Sequence, residues 1–159
     1  MRFAYADPPY PGQARRYVER AEVDHAQMIG RLVEEYPDGW ALSTSSPALR
    51  DVLALCPRGV RIAAWVKPFA VFKPNNNPAY CWEPVIFMGG RRGDRARATV
   101  RDFHSENITL ERGLVGVKPP GFNRWILSLL GYIGGDTLDD LFPGSGGMAE
   151  AISARRLWV

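Results

Sequence analysis

Thr137-Leu-Asp-Asp-Leu-Phe142 is a short apolar-rich run, Pro143-Gly-Ser-Gly-Gly147 breaks it, and Met148-Ala-Glu-Ala-Ile152 resumes in helix-forming residues. The order is strand, glycine turn, helix, which commits the chain to an α/β arrangement with a strand end opening onto a helix N-terminus. Glycines let the backbone turn tightly and let a ligand approach its amides, and the first turn of the helix offers unpaired N–H donors. Two common phosphate binders are excluded. No Lys-Ser or Lys-Thr follows the glycines, and Gly144-Ser-Gly-Gly-Met-Ala149 does not supply Gly-x-Gly-x-x-Gly. Asp140, at the strand end, suits a nucleotide-like cofactor with a cationic amino acid tail.

A second junction opens the chain. Arg2-Phe-Ala-Tyr-Ala6 is compatible with a strand, and Asp7-Pro-Pro-Tyr10 stands at its carboxyl end, where open α/β sheets place their ligands. The two prolines remove backbone donors and stiffen the turn. What remains is a carboxylate, acceptor carbonyls and a phenol ring. An amino group on a planar base donates two hydrogens, so the Asp7 carboxylate and the Pro8 carbonyl can hold both while the nitrogen lone pair faces an electrophile. Tyr10 can stack on the base.

On these residues the chain resembles the S-adenosylmethionine-dependent amino-methyltransferases that act on adenine N6 or cytosine N4. Asp7, Pro8, Pro9 and Tyr10 match the family's catalytic motif, and Phe142-Pro-Gly-Ser-Gly146 its cofactor loop, with Gly144, Ser145 and Gly146 at the turn. Lys118-Pro119, followed by the helical-looking Phe122 to Leu130, looks like its additional cofactor-side motif. Because the catalytic motif precedes the cofactor motif, the order resembles the circularly permuted members often called the beta class. The resemblance implies a Rossmann-like sheet with helices on both faces. It also implies S-adenosylmethionine held by Asp7, Pro8, Lys118, Pro119, Asp140, Phe142, Gly144, Ser145 and Gly146, with no covalent enzyme intermediate. An aspartate in the first motif position is the family's commoner form for adenine, so adenine N6 in DNA is the favoured target. An RNA, a cytosine N4 or small-amine substrate, or a non-catalytic nucleic-acid-binding subunit with the same fold, remain open. The family's ribose-holding acid, expected after the next strand, has no counterpart where Arg155-Arg-Leu-Trp-Val159 stands.

Length and composition fit one methyltransferase domain over residues 1–159, with 91–117 a short basic insertion in place of a target-recognition region. So small a recognition region leaves room for a homodimer or a partner subunit. Hydrophobic residues at 46% and charged residues at 23% describe a soluble globular chain, and the start runs into a strand without a basic, apolar leader. A cytoplasmic protein without membrane spans is expected. Cys56, Cys81, His25 and His104 form no metal-ligand spacing, so no metal is expected. The net charge of +3 does not by itself separate a nucleic-acid binder from an ordinary basic surface.

The remaining segments read as scaffold. Met28, Ile29, Leu32 and Val33 lie at helical spacing between Asp24, a candidate N-cap, and Tyr36. Gly39 to Thr44 reads as a strand, and Pro47 to Leu55 as a helix with proline in its first turn. Arg61 to Val66 and Cys81 to Met88 are expected to pair antiparallel at one sheet edge. Glu83-Pro84 fits such an edge, with Glu83 either paired to Lys67 or facing the target pocket. Phe69 to Phe72 and Lys73 to Asn77 read as a solvated loop that can also cover the base pocket. Arg91, Arg92, Arg95, Arg97 and Arg101 are the candidate phosphate contacts; a solvated charged face is the plainer alternative. Trp82, Phe103 and Trp125 are candidates for stacking, with core packing the default for the tryptophans.

Overall fold

The computed structural model describes residues 1–12, 22–69, 77–93, 98–109 and 116–156, with the backbone alone for Arg155 and Arg156. Six strands form one sheet: β1 (Arg2–Ala6), β2 (Gly39–Ser43), β3 (Arg61–Val66), β4 (Trp82–Gly89), β5 (Phe103–Ser105) and β6 (Thr137–Asp140). Four helices accompany them: α1 (His25–Glu35), α2 (Leu49–Leu55), α3 (Pro120–Leu129) and α4 (Gly147–Arg156). The spatial order is β5-β3-β4-β2-β1-β6. β1 pairs in parallel with both β2 and β6, β5 is parallel to β3, and β4 alone runs antiparallel, between β3 and β2.

The centre of the sheet is buried on both faces, which is why β1 and β2 read as nearly unbroken apolar runs. Phe3, Tyr5, Ala63, Trp65, Val85 and Phe87 meet α3 and α4 through Phe122, Trp125, Ile126, Leu127, Met148 and Ala151. Ala4, Ala6, Trp40, Leu42 and Ile86 meet α1 and α2 through Met28, Ile29, Leu32 and Val52. Asp24 caps α1 by accepting from the Gln27 amide at 2.9 Å. The expected apolar quartet of that helix is a trio, because Val33 turns outward. Pro47 lies in the turn before α2, whose N-cap is Ala48, so the helix starts two residues later than proline suggested.

The expected edge hairpin is corrected in its position. β3 and β4 do pair antiparallel, but β4 is interior and β5 closes the edge beside β3. The sequence hid β5 because Phe103-His-Ser is three residues long and only half apolar. Its pleat is nevertheless clear, with Phe103 exposed and His104 stacked 5.8 Å from Trp125 on the other face. Residues 91–117 therefore include a strand of the sheet. Pro84 is tolerated in the interior because its carbonyl accepts from the Thr44 amide just past the end of β2, so its missing donor faces a ladder that has already stopped. Arg155 and Arg156 continue α4 and form no further strand. None of the described helices is long and apolar enough to cross a membrane, and no group of metal-binding side chains occurs among the described residues.

Asp136, buried just before β6, ties the amino-terminal ends of the strands together. Its carboxylate accepts two 2.8 Å bonds from Arg91 Nη2, one from the Met1 amino group at 2.8 Å and one from the Ile133 amide at 2.9 Å. Burial works against its charge, but the amino group, Arg91 and the Ile133 amide outweigh it and hold the carboxyl at about 2. A carboxyl below its unfolded value stabilises the fold at neutral pH and loses that contribution as pH falls from about 4 toward 2. Asp136→Ala is expected to lower the free energy of unfolding by about 3 kcal/mol, since it strands Arg91. Urea titrations should show the loss at pH 7 and a much smaller difference from the parent near pH 2.

Candidate functional site

The five mutually parallel strands all end at one pole of the sheet, and β4 begins there. Such carboxyl ends are where open α/β sheets bind ligands. Tyr5 lies opposite Asp140, and the Leu141 amide donates to the Tyr5 carbonyl at 2.9 Å. The turn at Asp7 to Tyr10 therefore emerges beside the turn from Leu141 to Gly147, although most of the chain separates them in sequence. Asp140 accepts from the Phe142 amide at 3.2 Å, and burial together with the nearby Asp7 charge raises its pKa.

Gly146 sits at φ 81° and donates to the Pro143 carbonyl at 2.7 Å. That conformation needs glycine, and a side chain placed there would meet nothing within 4 Å, so open space lies over the turn. Gly147 serves packing: a Cβ there would come within 2.7 Å of Asn123 Nδ2, on buried Asn123 of α3. α3 itself starts where Pro119 caps it and Pro120 occupies its first position.

Between these turns and β4 lies a partly buried charge network. Lys118 Nζ is 3.2 Å from Asp7 Oδ1, 3.0 Å from Glu83 Oε2 and 3.2 Å from Tyr10 Oη. Its ammonium also faces the rings of Trp65, Tyr10 and Phe122 at 5.2, 5.7 and 5.8 Å. Tyr10 donates to Glu83 Oε2 at 2.7 Å, and Lys67 pairs with the other Glu83 oxygen. Two carboxylates thus face two ammoniums, and the cluster is neutral in sum. Burial disfavours the Lys118 charge, but Asp7 and Glu83 outweigh it and push its pKa up. Burial likewise opposes ionisation of Glu83, yet Lys118, Lys67 and Tyr10 hold it at about 2. For Asp7 the balance differs: burial outweighs the pull of Lys118, and its pKa rises. Beneath it, the Tyr5 hydroxyl bonds Ser43 Oγ at 2.8 Å, and the buried Thr44 hydroxyl has no partner among the described residues.

The structure brings together Asp7, Pro8, Pro9, Tyr10, Lys118, Pro119, Asp140, Phe142 and the glycine turn. It does not bring the arginines there. Arg91 follows β4 at the opposite pole, where Asp136 and the Gly131 carbonyl occupy its guanidinium, so its assignment as a free phosphate contact is corrected. Arg92 is exposed at that same pole, and Arg101 lies just before β5 with its guanidinium over Phe103. Arg95 and Arg97 fall outside the described residues, as do 70–76 of the expected lid. A cavity of about 650 Å³ also opens at the arginine pole, between Arg61, Phe87, Arg92, Asp102 and Gly131. It lies apart from the Asp7, Glu83, Lys67 and Lys118 cluster, which is at the other end of the strands. Glu83 pairs with Lys67, as the edge-strand reading expected. Trp65, Ser43, Thr44 and Asn123 have no site role in the sequence, and Lys67 enters there only as a partner for Glu83. The signal for Lys67 is that Val-Lys-Pro occurs twice, at 66–68 and 117–119, and each copy supplies one ammonium.

No family model matches the chain, and no curated protein matches it. Solved structures do. The crystal structure of M1.HpyAVI in complex with SAM aligns over 98% of this chain and 78% of its own, with a TM-score of 0.68 at 15% identity. M1.HpyAVI in a second crystal structure gives 0.61 at 13% identity, over 98% and 76%. TTHA0409 from Thermus thermophilus, provisionally described as a DNA modification methylase, gives 0.56 at 15% identity, over 98% and 77%. The mixed six-stranded sheet with four helices is therefore the α/β fold of methyltransferase structures.

Lys118→Met is expected to leave Asp7 and Glu83 facing each other with Lys67 as the only ammonium. Stability should fall by about 3 kcal/mol. In a carboxyl NMR titration, Glu83 should move up from about 2 by roughly one unit or more.

Proposed function

We propose that the chain is an S-adenosylmethionine-dependent methyltransferase acting on the exocyclic amino group of a nucleobase, with adenine N6 in DNA the preferred target. The observation that carries this reading is the adjacency of the Asp7-Pro-Pro-Tyr10 turn and the glycine turn on neighbouring parallel strands. One turn presents acceptors for an amino group, and the other presents open space over amides beside a strand-end carboxylate. The fold likeness to a SAM complex supports the same cofactor here. The donor set fits it: Asp140 stands at the strand end where a cationic amino acid tail would sit, and the turn at Gly144 to Gly146 leaves room for close approach.

When bound, the cofactor supplies an electrophilic methyl group on a sulfonium. The chain's part is orientation and proton handling. Asp7 and the Pro8 carbonyl accept the two amino hydrogens, which turns the lone pair out of the base plane toward the methyl group. Asp7 Oδ1 is bonded to Lys118, so the arriving amino group takes over that oxygen while Lys118 keeps Glu83 and Tyr10. Methyl transfer leaves the nitrogen with one proton too many, and Asp7 is the group placed to take it. Its raised pKa makes it a better acceptor than an exposed carboxylate. Arg92 and Arg101 remain candidate phosphate contacts, remote from the reaction.

Asp7→Asn should abolish methyl transfer, by a factor of about 10³ or more, while calorimetry shows cofactor binding close to the parent's. Labelled-methyl assays on separate DNA, RNA and nucleoside pools, with identification of the methylated base, test the assignment. Parental turnover in the variant would make Asp7 structural. Because the reaction needs Asp7 ionised, kcat should fall on acidification with an apparent pKa above the ordinary carboxylate range.

A further inference from the structure

Three large rings are exposed where the chain enters β4 and leaves β3. Phe69 is 67% exposed, Tyr80 53% and Trp82 38%, all large for rings that could have been buried. Each is fixed to the site's frame. Trp82 is the first residue of β4, opposite Val66 and next to Glu83. The Lys67 amide donates to the Cys81 carbonyl at 2.7 Å, which ties the backbone next to Tyr80 to the end of β3. The Phe69 amide donates to Asn107 Oδ1 at 2.9 Å, two residues beyond Lys67. On its own side of the sheet Trp82 is not covered by α1 or α2, whose contacts end at β1, β2 and Ile86.

Among the described residues, the cations near these rings are not available to a ligand backbone. Lys67 and Lys118 are largely covered and paired with Glu83 and Asp7, while Arg61, Arg91, Arg92 and Arg101 lie toward the opposite pole. Six strand steps carry β4 from Glu83 to its end at Gly89, roughly 20 Å at strand rise, and Arg91 lies beyond that end. A phosphate held by Arg92 is therefore far from a base in the Asp7 pocket. What the described rim offers next to that pocket is ring faces, and a ring face recognises another exposed planar face.

We infer that Trp82, Tyr80 and Phe69 form a stacking rim for the bases flanking the target, and that the substrate is a single-stranded or unpaired stretch of nucleic acid. In a duplex the faces of neighbouring bases are covered by their own stack, whereas unpaired bases can splay onto aromatic side chains. This rests on the proposed function, since it takes the Asp7 pocket as the target-base site. It goes further in naming the strand state of the substrate and three residues that select it.

The test uses the full chain and a fluorescein-labelled DNA oligonucleotide, its RNA counterpart and the matched DNA duplex, each titrated at several salt concentrations. The parent should prefer the single strands to the duplex by about tenfold or more. Trp82→Ala and Tyr80→Ala should each weaken single-strand binding by about tenfold, Trp82→Phe by much less, and neither should alter the salt slope. Calorimetry with S-adenosylmethionine, unchanged in the alanine variants, shows that the fold is intact. Duplex binding as tight as single-strand binding overturns the inference, as does unchanged single-strand affinity in the alanine variants. Sedimentation showing that Trp82→Ala splits a dimer of the parent also overturns it, by assigning the rings to a second copy. Absence of methylated base in every nucleic acid pool would instead overturn the proposed function.

Discussion

Lys118 is the residue on which the carboxyl pole of the sheet depends. A buried ammonium is tolerated only when its charge is answered, and here three aromatic faces and two carboxylates answer it. Because Lys118 begins the approach to α3, its pairing with Asp7 after β1 and Glu83 in β4 clamps a helix, a turn and a strand onto one point. Pro119 directly after it keeps its backbone extended and starts α3 without delay. The ordinary core packing of Phe122 and Trp125 then continues from a fixed origin.

The molecule has two such ionic centres, one at each end of the strands, and they have opposite characters. At the amino pole Asp136 gathers cationic and amide donors around one carboxylate, a closed arrangement with little chemistry left to do. At the carboxyl pole the carboxylates outnumber what any single ammonium can satisfy, and Asp7 keeps a raised pKa despite its lysine partner. An anchor should have its pKa driven far from neutrality toward the charged form, as Asp136 has. A working carboxylate should not.

Much of this was legible in the chain. The strand-turn-helix at the end, the carboxylate-proline turn at the start and the amphipathic α1 are local patterns, and local patterns survive folding when propensity, turn chemistry and burial agree. What was not legible depended on pairing. β5 is too short and too polar to stand out, so β3 looked like an edge strand and the arginine segment looked like an insertion. Arg91 looked like its neighbours in sequence, and only the position of Asp136 shows that it is a structural ion-pair partner. Lys67 and Lys118 carried a shared Val-Lys-Pro signal, but that both would converge on Glu83 follows from the antiparallel placement of β4.

On the proposed function, the neutrality of the carboxyl-pole cluster bears on how a neutral base enters it. Had Asp7 stood alone with Lys118, an amino group arriving at Asp7 would leave a buried ammonium without a counter-charge, a cost of several kcal/mol. Glu83 removes that obstacle. It is paired with Lys67 and Lys118 and accepts from Tyr10, so Lys118 can yield an oxygen of Asp7 and still face a carboxylate and a phenol oxygen. The second carboxylate and the second ammonium thus let the first carboxylate change partners without any charge being left unpaired in the interior.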